Sequence, residues 1–215
     1  PDWQSYINTT ETKEPGDPGT APDDTTVVQA TAERASTEGG SFTDFQNGRY
    51  MYITSFDITN VTDPLTGEPI PYERDVLNRV AIQVEGNADN AFVDFVPDGG
   101  MPPATLDMVM NESCNECHIE LAFHGGDRIA VEYCVTCHNP GSTDANSLNT
   151  VDFAVMIHKI HTGEELPEVQ AGGEYAIWGF RNTKHDYSEV VYPQDLRRCN
   201  KCHDSDDPDT PDGDN

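Results

Sequence analysis

The chain of 215 residues carries 39 acidic against 12 basic side chains, and its formal charge of -27 argues against nucleic acid or an anionic membrane as a partner. Its hydrophobic fraction of 35% is low for a soluble domain, so side chains alone are a poor source of core material. The sequence has no apolar run of about 18 residues, which argues against a membrane-spanning helix. It begins at Pro1 without a signal peptide, and we interpret it as a processed or trimmed product.

Residues 1–100 are predicted to form a β-rich domain. Residues 1–47 are rich in Pro, Gly, Ser, Thr and acidic residues and are predicted to be largely loop, with one strand over Thr25–Ala30. Aromatic and β-branched content, or period-two alternation, predicts three more strands over Tyr50–Phe56, Arg79–Glu85 and Ala91–Val96. Short strands with Gly/Pro turns predict an antiparallel sandwich- or barrel-like portion, which we expect to act as scaffold or docking surface.

The chain changes character near Gly99–Pro103, where we expect the strands to stop. All six cysteines and all seven histidines lie beyond this point, so residues 101–215 are predicted to be a second domain, ending in an acidic tail over 204–215. Its longest element is predicted over Asp152–His161, a helix started by Asp152 or Thr150 and ended by Gly163. The predicted fold is therefore α+β, with a β-rich portion followed by a loop-rich, mostly helical domain.

Every cysteine belongs to one of three C-x-x-C-H motifs. Two thiols at this spacing can add to the vinyl groups of one porphyrin, and the following histidine reaches the iron as its proximal ligand. The motifs predict three covalently attached haems c, whose apolar plates would serve as core. A zinc site and a redox disulfide fit less well, because neither requires three C-x-x-C pairs each followed by histidine. The predicted attachment residues are Cys114, Cys117 and His118, then Cys134, Cys137 and His138, then Cys199, Cys202 and His203.

Four further histidines are candidates for the second axial position of the irons, since two histidine ligands give a low-potential carrier without an open site. Two glycines follow His124 and let the backbone pass close to a porphyrin, although a surface turn is the alternative. His158 and His161 share one helix face and are expected to ligate two neighbouring haems, unless one is an ordinary polar helix residue. His185 is an axial ligand, a partner of a propionate, or a solvated residue. The surplus histidine fits either a bystander or a haem whose motif lies beyond Asn215.

Together, these residues resemble the first haem-binding domain of the outer-membrane MtrC/OmcA family of multihaem, decahaem c-type cytochromes. The resemblance covers about residues 48–203 and includes the end of a preceding β-domain. The family's haem domains carry more haems than the three motifs present here, which indicates a fragment or a shortened relative. Besides the three motifs, the segments that carry the resemblance are Phe123–Arg128, Met156–His161, His185–Ser188, Tyr192-Pro193, Arg79–Gln83 and Asp94–Gly100.

The resemblance implies extracellular electron transfer to metal oxides, metal chelates or flavins, with other cytochromes or a porin–cytochrome complex as partners. It implies a position on the extracellular face of the bacterial outer membrane, or secretion, rather than a periplasmic place. We expect an electron carrier rather than a substrate-specific enzyme, with terminal metal reduction as an open activity. Two alternatives stay open: a multihaem oxidoreductase with a free axial position, and a self-assembling subunit of a cytochrome filament.

Overall fold

Strands dominate the first part of the chain and helices the second. The structure, a computed structural model, describes residues 3–35, 39–84, 86, 90–103 and 108–203. In these residues the strands pair two by two into antiparallel sheets, and the α+β class is confirmed. The predicted 204–215 tail, and Glu85 at the end of one predicted strand, lie outside the described residues.

Three antiparallel hairpins make up the β-rich part. They are β1 (Asn8–Thr12) with β2 (Thr26–Ala30), β3 (Ser41–Asp44) with β4 (Tyr50–Ile53), and β5 (Asn78–Ile82) with β6 (Ala91–Phe95). The strands predicted from periodicity and β-branched content correspond to β2, β4, β5 and β6. β1 and β3 lie within the stretch predicted to be largely loop, because their short polar sequences have no alternation and gain their structure from pairing.

The second part contains four short helices and one more hairpin. The helices are α1 (Asn111–His118), α2 (Val131–Cys134), α3 (Phe153–Thr162) and α4 (Pro167–Gln170). Single 3-10 turns occur at Gly163–Glu165 and Cys199–Lys201 here, and at Ile58–Asn60 in the β-rich part. The predicted helix is confirmed as α3: the Asp152 carboxylate accepts from the Val155 amide at 3.1 Å, and Gly163 follows its last residue.

The expectation that strands stop near Gly99–Pro103 is wrong. β7 (Ala176–Gly179) pairs with β8 (Thr183–Asp186) in antiparallel register. The turn between them places Arg181 and Asn182 at φ values of 58° and 56°. Hairpin turns with positive φ are usually recognised by Asn-Gly or Asp-Gly pairs, and this turn has neither.

The hydrophobic core is small and lies mainly in the second part. Its fully buried members there include Tyr175 and Ala145, while many large apolar side chains beside the cysteine motifs stay exposed. Ile119, for example, is 92% exposed and Phe123 53% exposed. The polypeptide alone therefore leaves apolar surface uncovered around the motifs. None of the described helices has the length and apolar character needed to cross a membrane.

Candidate haem-binding sites

The first motif lies on α1, which ends at His118 where Ile119 takes a φ of 63°. Cys114 and Cys117 stand three residues apart on this helix, as attachment to one porphyrin requires. The His118 ring faces the His161 ring of α3, with ring centroids 6.0 Å apart and an interplanar angle of 73°. These two cysteines and two histidines are called the first site.

The second motif begins at the end of α2 and continues as a turn, in which the His138 amide donates to the Cys134 carbonyl at 2.9 Å. The His138 ring faces the His124 ring, with a centroid distance of 5.9 Å and an angle of 39°. His124 lies in a loop at a φ of 52° and belongs to no helix. Cys134, Cys137, His138 and His124 are called the second site, and Arg128 lines the same small pocket.

The third motif forms a 3-10 turn over Cys199–Lys201, and the His203 amide donates to the Cys199 carbonyl at 2.9 Å. The His203 ring stacks on the His158 ring of α3, with a centroid distance of 5.9 Å and an angle of 15°. Cys199, Cys202, His203 and His158 are called the third site.

The three histidine pairs have the separation that a shared iron needs. A metal between two imidazoles, each bonded at about 2.0 Å, separates the ring centroids by roughly 6 Å. The observed distances are 6.0, 5.9 and 5.9 Å. Two histidines are the axial ligand set of a low-potential haem iron, whose other ligands come from the planar porphyrin. In the described parts of the chain, no group of three or more His, Cys, Asp or Glu side chains converges as in a zinc site.

Four of the six paired histidines are oriented by a hydrogen bond to a backbone carbonyl. A carbonyl only accepts, so the Nδ1 atom facing it carries the proton and Nε2 keeps a free lone pair for a metal. The sequence spacing cannot reveal these acceptors, because two of them belong to distant segments. The Nδ1 contacts are His138 to Val151 at 2.9 Å, His158 to Ala154 at 2.6 Å, His161 to Ile157 at 2.9 Å and His203 to Met108 at 3.0 Å.

The first and third sites are direct neighbours. Their histidines on α3, His158 and His161, are three residues apart on one helix face. An ion pair joins Glu116 of the first motif to Lys201 of the third. The ring of Tyr192 packs edge-on against His161 at 5.6 Å, and burial together with the adjacent Cys202 raises the pKa of its phenol to about 12. The predicted close approach of two haems along α3 thus has a matching geometry.

The cysteine thiols are all free, and two of them, Cys114 and Cys134, do not have the character of redox nucleophiles. Burial raises the pKa of Cys134 to about 11, and burial also raises the pKa of Cys114. Catalytic and redox cysteines instead have a lowered pKa, which supplies the reactive thiolate. The surroundings of these thiols therefore argue against the redox-disulfide alternative.

The second site favours neutral imidazole. Burial lowers the pKa of His138. His124 keeps one side exposed, but desolvation of its other side, followed by the charge of Arg128, lowers its pKa to about 4. Neutral imidazole is the form that binds a metal, so this environment keeps both ligands ready at neutral pH.

His185 stands apart from the three pairs. It is exposed on β8 opposite Ile177, and its ring lies over Gly179, where an added Cβ would be 3.0 Å from Nε2. Within the described residues it makes no ring contact with another histidine. Its neighbour Lys184 forms an ion pair with Glu174 at 2.7 Å, and this pair lies at the β7–β8 hairpin.

The second site also has supporting residues that sequence reasoning missed. Gln83 accepts from Arg128 at 3.0 Å, and Asn90 makes three hydrogen bonds to the loop that follows His124. On the other side, the Ser142 hydroxyl donates to Cys137 and accepts from the amide of Ala30 in β2. No local sequence pattern predicts such contacts, because their partners are remote along the chain.

Comparison with known proteins gives matches to one family over both parts of the chain. The family model described as outer membrane cytochrome MtrC/MtrF-like, domains II/IV, matches residues 106–215, and that of the OmcA-like N-terminal domain matches residues 2–102. The multiheme cytochrome MtrC of Shewanella baltica (strain OS185) is 34% identical over 153 residues, which are 66% of this chain and 22% of that protein.

A solved structure is similar as well. The crystal structure of the outer membrane decaheme cytochrome OmcA aligns with a TM-score of 0.76 at 30% identity, and covers 95% of this chain. The chain spans 31% of that structure and 22% of the MtrC relative, so it corresponds to a part of each. Because a family model covers half of the sequence and the fold agrees, the chain belongs to the MtrC/OmcA family of outer-membrane multihaem cytochromes, as the resemblance of its motifs predicts.

Proposed function

We propose that the chain is an electron carrier of extracellular electron transfer that holds three covalently attached haems c, each between two histidines. The observation that carries this proposal is the pairing of every motif histidine with one further histidine, at ring-centroid distances of 6.0, 5.9 and 5.9 Å. A single pair of this kind could arise by packing alone. Three pairs, each on a different motif, have the arrangement that bis-histidine ligation requires.

In each site the two cysteines would attach the porphyrin and the two histidines would hold its iron. When bound, the haem iron supplies one-electron chemistry by alternating between its ferric and ferrous states. Two imidazoles from the chain leave no axial position for a substrate, which favours a carrier over an enzyme that binds its substrate on iron. The proposed axial pairs are His118 with His161, His138 with His124, and His203 with His158.

The protein contributes orientation and burial. The Nδ1 hydrogen bonds hold four of the six rings in place, so they keep their orientation whichever oxidation state the iron has. The exposed apolar side chains of Ile119 and Phe123 offer surface for a porphyrin plate to cover. Arg128 lines the second site and has a guanidinium group suited to a propionate carboxylate. These features support a core completed by cofactors.

Helix α3 supports electron exchange between the first and third sites. His158 and His161 are fixed to one rigid helix, so the separation of the two sites is set by helix geometry. The ion pair between Glu116 and Lys201 joins the two attachment motifs from the opposite side. Closely packed carriers of this kind pass electrons without any covalent step.

We assign His185 to the axial ligands as well, for an iron that the described residues do not hold. Its exposure and its lack of a partner histidine among those residues support this assignment. The chain spans less than a third of the OmcA structure, so further segments of a longer protein are one source of such an iron.

The remaining parts of the proposal concern organisation and location. We propose a domain boundary at residues 100 and 101, supported by family models that end at residue 102 and begin at residue 106. We further propose the extracellular face of the outer membrane as location, other cytochromes or a porin–cytochrome complex as partners, and metal oxides, metal chelates or flavins as acceptors. The outer-membrane descriptions of the relatives support this placement.

The haem-loaded chain tests the central proposal. Intact mass should correspond to three attached haems, and electron paramagnetic resonance of the oxidised protein should contain only low-spin iron. Carbon monoxide should not bind to the native reduced protein, because both axial positions are filled. Native protein with a high-spin haem or with rapid carbon monoxide binding would contradict bis-histidine ligation at all sites.

Single variants then test each pair. His124→Ala, His158→Ala and His161→Ala should each open one haem of the three to carbon monoxide. His185→Ala is the matched control, since it removes an exposed histidine that faces none of the three motifs, and it should open none. If His185→Ala opens a haem, the proposed pairing is wrong.

A further inference from the structure

The β5–β6 hairpin is hydrogen-bonded to the loop that carries His124. Asn90, next to the first residue of β6, donates from Nδ2 to the Asp127 carbonyl at 2.8 Å. Its Oδ1 accepts from the amides of Ile129 at 2.9 Å and Ala130 at 3.2 Å. One side chain thus satisfies three backbone groups of a loop about 40 positions away in sequence.

Two more side chains of the hairpin reach the same region. Gln83 accepts from the Nε of Arg128 at 3.0 Å. Arg79 donates from Nη1 to the carbonyl of Glu132 in α2 at 3.3 Å. The hairpin therefore contacts both the loop after His124 and the helix before Cys134.

Arg79 is itself held rigidly. Its guanidinium makes two bonds of 2.7 Å to Asp94, and both side chains are nearly buried, at 5% and 14% exposure. The rings of Trp3 and Phe92 lie 4.7 Å from its central carbon. A planar, bidentate and stacked arginine is a precise anchor, so the hairpin offers a firm base for the contacts of Asn90.

His124 lies in a turn that is closed by the antiparallel pairing of Phe123 with Arg128, whose amides donate to each other's carbonyls at 3.0 and 3.3 Å. It sits at a φ of 52°, and the two glycines after it have φ values of 90° and 98°. Its ring is exposed and, within the described residues, its Nδ1 has no hydrogen bond, whereas His158 and His161 bond to carbonyls of their own helix. The direction of the His124 ring therefore comes from the backbone of this closed turn, and the bonds of Asn90 to Asp127, Ile129 and Ala130 fix the turn to the β5–β6 hairpin.

We propose that Asn90 is a positioning residue of the second site, which holds the backbone of residues 127–130 so that His124 faces His138. The inference rests on the proposed function, because it takes His124 as the axial ligand. It assigns the β-rich part a direct role in haem ligation, in addition to that of a scaffold. Gln83, through Arg128, and Arg79, through α2, help to hold the same region.

Asn90→Ala in the haem-loaded chain tests this role. Loss of the three hydrogen bonds should free the loop, so His124 should leave the iron in a fraction of molecules. Carbon monoxide binding should rise from none towards one haem in three, and the oxidised protein should gain a high-spin signal. Asn90→Asp keeps the Oδ1 acceptor for Ile129 and Ala130, and it should restore most of the low-spin signal.

Asn78→Ala is the matched control. Asn78 is also an asparagine of the β5–β6 hairpin, 7% exposed, with its amide donating to the carbonyls of Glu73 and Val76 at 3.0 Å each. It makes no contact with the loop after His124 among the described residues. Its replacement should weaken the hairpin while leaving all three haems closed to carbon monoxide.

The outcomes separate the inference from the proposed function. If His124→Ala opens one haem and Asn90→Ala opens none, the positioning role is wrong and the ligand assignment stands. If His124→Ala opens none, the ligand assignment is wrong and the role of Asn90 falls with it. If Asn78→Ala opens a haem to the same extent as Asn90→Ala, general hairpin stability is the cause, and the positioning role is again wrong.

Discussion

The first and third sites obtain their second histidines from a helix, whereas the second site obtains its second histidine from a glycine-containing loop. On α3, His158 and His161 are oriented by hydrogen bonds to the carbonyls of the preceding turn. The His124 ring has no such hydrogen bond among the described residues, and the loop after it is bonded to Asn90 of the β5–β6 hairpin. A helix thus orients its ligands with its own backbone, while a loop must take its support from another part of the chain. We therefore expect the β-rich part to influence mainly the second site.

The largest effect that sharpens this comparison is expected from Arg79→Ala. The change leaves the nearly buried Asp94 carboxylate without its partner, which costs about 3–5 kcal/mol in the free energy of unfolding. It also removes the contact to α2, so the second site should open to carbon monoxide before the first and third. Chemical denaturation combined with carbon monoxide titration measures both effects.

Arg74→Ala is the control for Arg79→Ala. Arg74 pairs with Asp98 at 2.6 Å, but both side chains are more than half exposed, so the loss in the free energy of unfolding should be much smaller than for Arg79→Ala. Equal losses in the free energy of unfolding for the two variants would mean that burial of the Arg79–Asp94 pair does not add to its contribution to stability. Opening of all three sites together in Arg79→Ala would contradict the separate dependence of the second site.

A break in α3 should produce the opposite pattern. Ile157→Pro removes an amide donor and introduces a clash in the interior of the helix, at a cost of about 3 kcal/mol. Both His158 and His161 should lose their orientation, so two haems of three should bind carbon monoxide while the second site stays closed. Ile157→Ala, which keeps the helix, should leave all three closed. A single opened haem in Ile157→Pro would show that the first and third sites do not share α3 as their common support.

The contrast between local features and contacts of distant segments also explains how much can be predicted from the sequence. The motifs and α3 follow from local spacing and capping. Cys114 and His158, and the cap of α3 at Asp152, can therefore be predicted from the sequence. The pairing of each motif histidine with a second histidine cannot be predicted in this way. His118 and His161, for example, are brought together by the folding of distant segments. The sequence does not predict the β7–β8 hairpin for a different reason. Its turn has positive φ at Arg181 and Asn182, but it lacks the glycine that usually identifies such a turn.

The supporting contacts of the second site were the least predictable. Asn90 lies 37 residues before Asp127, and an asparagine before a strand has no distinctive pattern. Its importance depends on which loop happens to lie beside it, and this is a property of the tertiary structure. The motifs of the second part can therefore be identified from the sequence, whereas its contacts with the β-rich part become visible only in three dimensions.

The smallest expected effect concerns the pH dependence of the second site. The pKa of His124 is lowered to about 4 by desolvation and by Arg128, so the folded chain binds its proton less readily than the unfolded chain. The histidine reference value is about 6.5, so between this value and pH 4 the unfolded chain holds more protons and stability falls as the pH falls. Protonation also competes with iron for the ring nitrogen, so a lowered pKa protects the ligation against acid.

Arg128→Gln tests this electrostatic part of the comparison. Removal of the positive charge should raise the pKa of His124, so acid should release this ligand at a pH higher by roughly a few tenths of a unit. Acid titration of the low-spin signal measures the shift, with one third of the signal expected to move. Lys184→Gln removes a charge near His185 and should leave the titration unchanged. A shift to lower pH, or no shift, in Arg128→Gln would contradict the electrostatic role of Arg128. Loosening of the loop through the lost bond to Gln83 would move the release in the same direction as loss of the charge, so Gln83→Ala, which keeps the charge, separates the two effects.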